Sequence, residues 1–270
     1  MLIKVGYEIA FEAPRPVPML LLLSIHPTRE ASVVEPERLR TEPEVPIREF
    51  LDAFGNRCHR IVAPAGLIRL TNHAVVKDDG QPDPISADAV QHPVEDLPPE
   101  VLSYLLSSRY CEVDRLSDIA WNLFGVGPTG WLRVKAVCNW VHNHVTFGYH
   151  FARSTKTAFD VYTERAGVCR DFTHLAITLC RCLNIPARYA TGYLGDIGVS
   201  LSDSPMDFSA WFEVYLGGRW HTFDARHNIP RIGRIVMARG RDAVDVALTT
   251  SFGPNRLEKF VVRTDEVPSA

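Results

Sequence analysis

The apolar periodicity of this 270-residue chain changes once, near residue 95, and that change restricts it to two unlike units. Ahead of it, short alternating or β-rich runs ("IKVGYEIAF", "MLLLLSIHP", "RCHRIVAP", "IRLTNHAVV") are separated by proline and charged segments, the pattern of strands with one buried face. An all-β, sandwich-like domain is expected. The polar stretch "KDDGQPDPISADAVQHPVEDLPPE" then reads as a linker wrapping toward a second unit, so the domains are expected at about residues 1–95 and 96–270.

Past the linker the period becomes helical. "PPEVLSYLLSSRY", "DRLSDIAWNLFG" and "GWLRVKAVCNWVHNHVTFG" read as amphipathic packing helices, the last with Leu132, Ala136, Val137, Trp140 and Val141 at helical spacing. "RDFTHLAITLCRCLN" is a further helix, stopped by "IPARY". The runs "RYATGYLG", "FSAWFEVYLGGRWHTFDA" and "KFVVRT" then read as strands of an antiparallel sheet. The second unit is α+β.

With 46% hydrophobic and 23% charged residues, the chain is ordinary for a soluble globular protein. A formal net charge of −3 supplies no basic field for phosphates, so nucleic acid is not an expected partner. The longest apolar run, Met19 to Leu23, falls far short of the roughly 20 residues that span a bilayer. The amino terminus lacks a basic segment followed by an apolar stretch and a small-residue cleavage site. A cytoplasmic protein without membrane contact is expected. Six cysteines without framework spacing suit free thiols in a reducing compartment. Cys180 and Cys182 are too close for the usual zinc spacing, and His142 and His144 do not share a helix face. No metal or organic cofactor is implied.

Cys169 follows Gly167 and precedes a helix, so its sulfur should lie near unpaired backbone N–H groups and the positive end of the helix dipole. Such a site lowers thiol pKa values and can bind the oxyanion formed on attack. A buried, inert cysteine at a loop–helix junction fits the local sequence equally. Downstream, Gly217-Gly218 suits a two-residue primed turn. With Leu216 opposite Arg219, the register puts Trp211 across from Asp224 and Ser209 across from Arg226, and makes Asp224 a diagonal neighbour of Ser209. Arg226 is then placed to stabilise a thiolate or to pair with Asp224. Trp211 is placed to line a substrate cleft, although a sheet-core role suits it as well.

The segments "GVCRDFTHLAITLCRCLNIPARYATGYL" and "DFSAWFEVYLGGRWHTFDARHN" resemble the core of the transglutaminase-like superfamily, specifically its bacterial cysteine-protease-like branch, over about residues 100 to 255. The preceding β region, through "LPPEVLSYLLSSRYCEVDRL", is similar to the amino-terminal domain that accompanies this branch. The resemblance implies a papain/transglutaminase-like core with helices packed on an antiparallel sheet. It also implies a triad: a Cys at a helix start, a His on the first hairpin strand and an Asp on the second. That triad attacks an amide or ester carbonyl and passes through a thioacyl enzyme. Matched by motif, Cys169 stands at the nucleophile and Asp224 at the carboxylate. Ser209 occupies the position of the histidine.

A serine hydroxyl cannot take up a proton near neutral pH, so the expected base is missing from its usual place. His221 and His227 lie three residues before and after Asp224, and continued pairing would turn both to the opposite sheet face. His227 is the better surrogate, because a turn or bulge after Asp224 would reset parity and "DARHN" reads as a strand end. His174, about 140° around the helix from Cys169, reads as a hydrogen-bonded, partly buried histidine. Two functions follow. One is a cysteine hydrolase or acyltransferase acting on amide or ester bonds of a peptide, a protein or a small molecule. The other is a catalytically impaired member that keeps the cleft for binding, as Ser209 suggests.

Overall fold

The computed structural model describes residues 1–201 and 205–268. Seven strands come first: β1 (Leu2–Ala13), β2 (Val17–Leu21), β3 (Val33–Glu35), β4 (Arg40–Glu42), β5 (Arg48–Leu51), β6 (Arg57–Ala63) and β7 (Gly66–Lys77). The alternation read in the sequence sets their faces. Ile3, Val5, Tyr7, Ile9 and Phe11 of β1 point to one side and meet Met19 and Leu21 of β2, Ile61 and Ala63 of β6, and Ile68 and Leu70 of β7 in one core. β1 pairs antiparallel with β7, and β2 with β6. Two sheets thus close face to face as a sandwich.

The second unit holds α1 (Pro99–Leu102), α2 (Val113–Phe124), α3 (Trp131–His144), the short strands β8 (Thr146–Phe147) and β9 (Ala166–Gly167), α4 (Ala158–Glu164) and α5 (Cys169–Cys182). A four-stranded antiparallel sheet follows, made of β10 (Ala187–Tyr193), β11 (Ser209–Leu216), β12 (Arg219–Phe223) and β13 (Ile235–Gly240), in the order β12-β11-β10-β13. The helix α5 is the spine of this unit. Its Leu175, Ala176 and Leu179 are fully buried in one core with Phe212 and Val214 of β11, and removing such a leucine side chain typically costs about 2–5 kcal/mol. The helix ends where Asn184 takes a left-handed φ of 61°, a role asparagine fills when glycine is absent.

The chain then returns to the sandwich. β14 (Thr249–Ser251) pairs with β2, and β15 (Arg256–Val267) pairs with β1 from Glu12↔Arg256 to Leu2↔Val267. The run "KFVVRT", expected in the sheet of the second unit, therefore lies in the first sheet of the sandwich. Alternation reports which side chains share a face, not which strand they pair with. The linker wraps the second unit: Ala89 accepts the Trp131 N–H, Val90 accepts the Gly217 N–H, and the Gln91 side chain donates to Leu183. Among the described residues no helix is long and apolar enough to cross a membrane.

Because β15 covers the whole length of β1, a chain ended after residue 248 should lose its cooperative thermal transition by circular dichroism. A retained sharp transition would show that the sandwich closes without its last strand.

Candidate active site

The start of α5 is built around a buried carboxylate. Val168 has no side-chain acceptor to cap the helix, and Asp171 in the first turn reaches back instead, accepting the Val168 N–H at 3.0 Å. Asp171 is fully buried and ion-paired with Arg170 at 3.0 Å. A Cβ added to Gly167 would stand 2.6 Å from that of Asp171, so this approach requires the glycine of the motif. Cys169 then opens the helix, half-buried, on a cleft of about 380 Å³ that Tyr149, Asp207, Ser209, Arg226 and His227 also line.

The thiol does not have the lowered pKa expected from the helix dipole. Burial pushes it up to about 11, against Arg226 and the backbone N–H groups of Ala210 and Arg170, which favour the thiolate, while Asp207 adds to the rise. Desolvation of the charged form outweighs the dipole here.

The hairpin folds as its sequence implies, with Gly217 and Gly218 at φ of 56° and 81° and pairing from Leu216↔Arg219 to Phe212↔Phe223. There the ladder stops. Asp224 Oδ1 accepts the N–H groups of Arg226 and His227 at 2.9 and 3.0 Å, and its carbonyl accepts that of Asn228, whose φ is 57°. This side-chain-capped turn resets the parity. It brings His227 to the cleft of Cys169, with Nδ1 2.8 Å from Asp224 Oδ2. His227 Nδ1 thereby donates to the carboxylate and leaves Nε2 as the free acceptor. The same Oδ2 accepts from Arg234 Nη2 at 3.0 Å, and Arg234 Nε bonds Asp83 of the linker at 2.8 Å. Burial opposes ionisation of Asp224, but Arg234 and then His227 outweigh it and hold the carboxyl well below the usual carboxylate range.

Other expected neighbours fall elsewhere. Ser209 lines the cleft but pairs with Gly192 on β10 rather than facing Arg226, because the ladder ends before reaching either residue. Arg226 makes no ion pair with Asp224; its guanidinium lies 3.9 Å over the Phe147 ring at the cleft. Trp211 is outside the cleft, packed against Ala190 and Val236 with Arg234 5.1 Å from its ring, so it belongs to the sheet core. His221 donates to the Leu216 carbonyl and packs on Trp131, away from the cleft. His174 is buried, accepts the Ala243 N–H at 3.1 Å and stacks on Tyr110. His142 and His144 bond the carbonyls of Arg226 and Tyr162. No group of three or more His, Cys, Asp or Glu among the described residues is placed to hold a metal. Sequence reasoning missed Arg234, Asp83, Tyr149 and Asp207; Tyr149 opens a single 3-10 turn and the others lie in loops or the linker, where no periodicity marks a facing partner.

The profile of the transglutaminase-like superfamily matches residues 123–225, a span holding both Cys169 and Asp224. A solved structure from Cytophaga hutchinsonii, named a "Putative Cysteine Protease", is 33% identical and superposes with a TM-score of 0.86, over 100% of this chain and 92% of that one. This chain belongs to the transglutaminase-like superfamily. Curated relatives are more distant. An uncharacterised Mycobacterium leprae protein is 26% identical over 117 residues, 42% of each chain. The human Kyphoscoliosis peptidase is 28% identical over 120 residues, 41% of this transglutaminase-like chain and 18% of the peptidase. The matches thus span less than half the length of either curated relative.

Asp224 has a folded pKa below its unfolded value, so its contribution to stability is complete above about pH 4 and is lost as pH falls below that. Asp224→Asn should be less stable at neutral pH by about 3 kcal/mol, having left Arg234 with an uncharged partner. It should also lose less further stability on acidification. Urea unfolding from about pH 7 to pH 3 checks both; parallel wild-type and variant curves would contradict the ion pair.

Proposed function

We propose that this chain is a cysteine hydrolase or acyltransferase of amide or ester bonds, with Cys169 as nucleophile and His227, oriented by Asp224, as the base that Ser209 cannot be. The observation that carries this reading is the 2.8 Å contact of His227 Nδ1 with Asp224 while the imidazole lines the cleft of Cys169. Peptides or proteins, or small amides and esters, are the substrates that fit. A cytoplasmic setting, where free thiols stay reduced, goes with it.

The chemistry follows from the protonation states. With the thiol neutral at rest, proton transfer belongs to the attack step. His227 Nε2 takes the thiol proton as Sγ adds to the carbonyl carbon, and Asp224 stabilises the resulting imidazolium. Backbone N–H groups at the helix start are suited to the oxyanion. His227 then returns the proton to the leaving amine or alkoxide, and the carbonyl reforms as a thioester. Water, deprotonated by the same nitrogen, attacks the thioester and frees the acid and the thiol. An amine in place of water would complete acyl transfer.

A binding module is the second reading. It is favoured by the thiol raised to about 11 together with Ser209 at the usual place of the histidine.

Activity assays on a p-nitrophenyl ester and a fluorogenic peptide library separate the two. Cys169→Ser should abolish turnover, His227→Gln should lower kcat/KM about 10²- to 10⁴-fold, and Ser209→His should bring no gain. A large gain from Ser209→His would mean that the site lacks a base, and an unaffected His227→Gln would remove His227 from the mechanism. In a separate measurement, alkylation of Cys169 by iodoacetamide should keep accelerating up to about pH 11. A plateau reached below about pH 8 would mean that the thiol is activated at rest.

A further inference from the structure

The linker carboxylate Asp83 is held more firmly than a surface loop requires. Prolines 82 and 84 flank it and fix the local backbone. Its N–H donates to the Arg231 carbonyl at 2.9 Å, and its Oδ2 accepts the Arg231 N–H at 2.9 Å. The same Oδ2 accepts from Arg234 Nε at 2.8 Å. Arg234 is almost wholly buried and continues to Asp224 Oδ2 at 3.0 Å, the oxygen that also receives the His227 Nδ1–H at 2.8 Å. Four ionisable groups stand in one row: carboxylate, guanidinium, carboxylate, imidazole.

We propose that Asp83 and Arg234 are positioning residues that set the proton affinity of His227, so that the linker between the two units governs the base of the cleft. The proposal rests on the role given to His227 above. Arg234 shares the oxygen that an imidazolium would use, and its fixed positive charge weakens that stabilisation. Asp83 offsets Arg234 from the far side. Removing the charge of Asp83 must therefore lower the proton affinity of His227, and removing that of Arg234 must raise it. A role in packing alone has no reason to give opposite signs. Among the described residues, the other titratable and charged groups facing this turn and cleft are Arg226 on the turn itself, Arg231 with Asp196, Lys135 of α3 bound to Asn228, His142 of α3 bound to the Arg226 carbonyl, and Tyr149, Asp207 and the Cys169 thiol in the cleft. All are unchanged in both variants, so they set the baseline and not the difference.

The test is a proton NMR titration of the His227 ring, assigned by its loss in His227→Gln, in the full chain carrying Asp83→Asn or Arg234→Gln. The midpoint should move to lower pH by about half a unit or more in Asp83→Asn and to higher pH by at least as much in Arg234→Gln. The low-pH limb of the kcat/KM profile should move with it. Shifts of the same sign, or an unmoved midpoint in Asp83→Asn, would overturn the proposal, and Asp83→Asn alone decides it if Arg234→Gln does not fold. The titration needs no turnover, so the two readings fail separately. Opposite shifts in a protein whose activity ignores His227→Gln would support the coupling and remove the base. Activity that requires His227 with no shift in either variant would keep the base and remove the coupling.

Discussion

A carboxylate deprived of water has to be paired, and around Asp224 that requirement organises much of the second unit. Two cationic or proton-donating partners meet one of its oxygens, and two backbone N–H groups meet the other. The second pair of bonds ends the hairpin at Phe223 and bends the chain into a turn. The first pair draws in Arg234 from the segment before β13 and, behind it, Asp83 from the linker. An unpaired charge at this depth would cost several kcal/mol, so the turn, the segment and the linker are fixed together. The placement of His227 is a by-product of satisfying Asp224.

Much of this was legible in the sequence because the signals were local. The Gly217-Gly218 turn fixed the register of β11 and β12, helical spacing located α3 and α5, and Gly167 with the helical run after Cys169 marked a helix start. The strand end at "DARHN" could be suspected from its composition, and with it the parity change at His227. Long-range pairings were not legible. Nothing in "KFVVRT" distinguishes a partner in β1 from one in β13, and nothing in "QPDPIS" points to an arginine 151 residues away. The continued ladder that would have put Arg226 opposite Ser209 fails for a physical reason: the Asp224 side chain accepts the N–H groups of Arg226 and His227, which bends the chain into a turn and out of the ladder.

The environment of the cysteine carries a second lesson. A helix start suggests a thiolate, yet the same packing that fixes the helix on the sheet leaves the sulfur only partly exposed, and desolvation of the charged form prevails. In this transglutaminase-like chain the position that would place an imidazole on β11 holds a serine, and the only imidazole lining the cleft among the described residues comes from the turn after β12. The fold keeps the cleft while changing the element from which proton chemistry would come.

The pairing of β1 with β15 joins Leu2 to Val267 across nearly the whole chain. Contacts of such sequence separation form late, since the intervening chain must already be compact before its ends can register. While the chain is being made, β1 has only β7 beside it, and its other edge stays open until β15 leaves the ribosome. The second unit, by contrast, has all its sheet partners by residue 240. A ribosome-bound chain would therefore hold the paired strands of its second sheet before it held a finished sandwich, while the cleft would still wait for Phe260 of β15 to back Phe208, and the exposed edge of β1 would be the place where a crowded cell first finds it sticky.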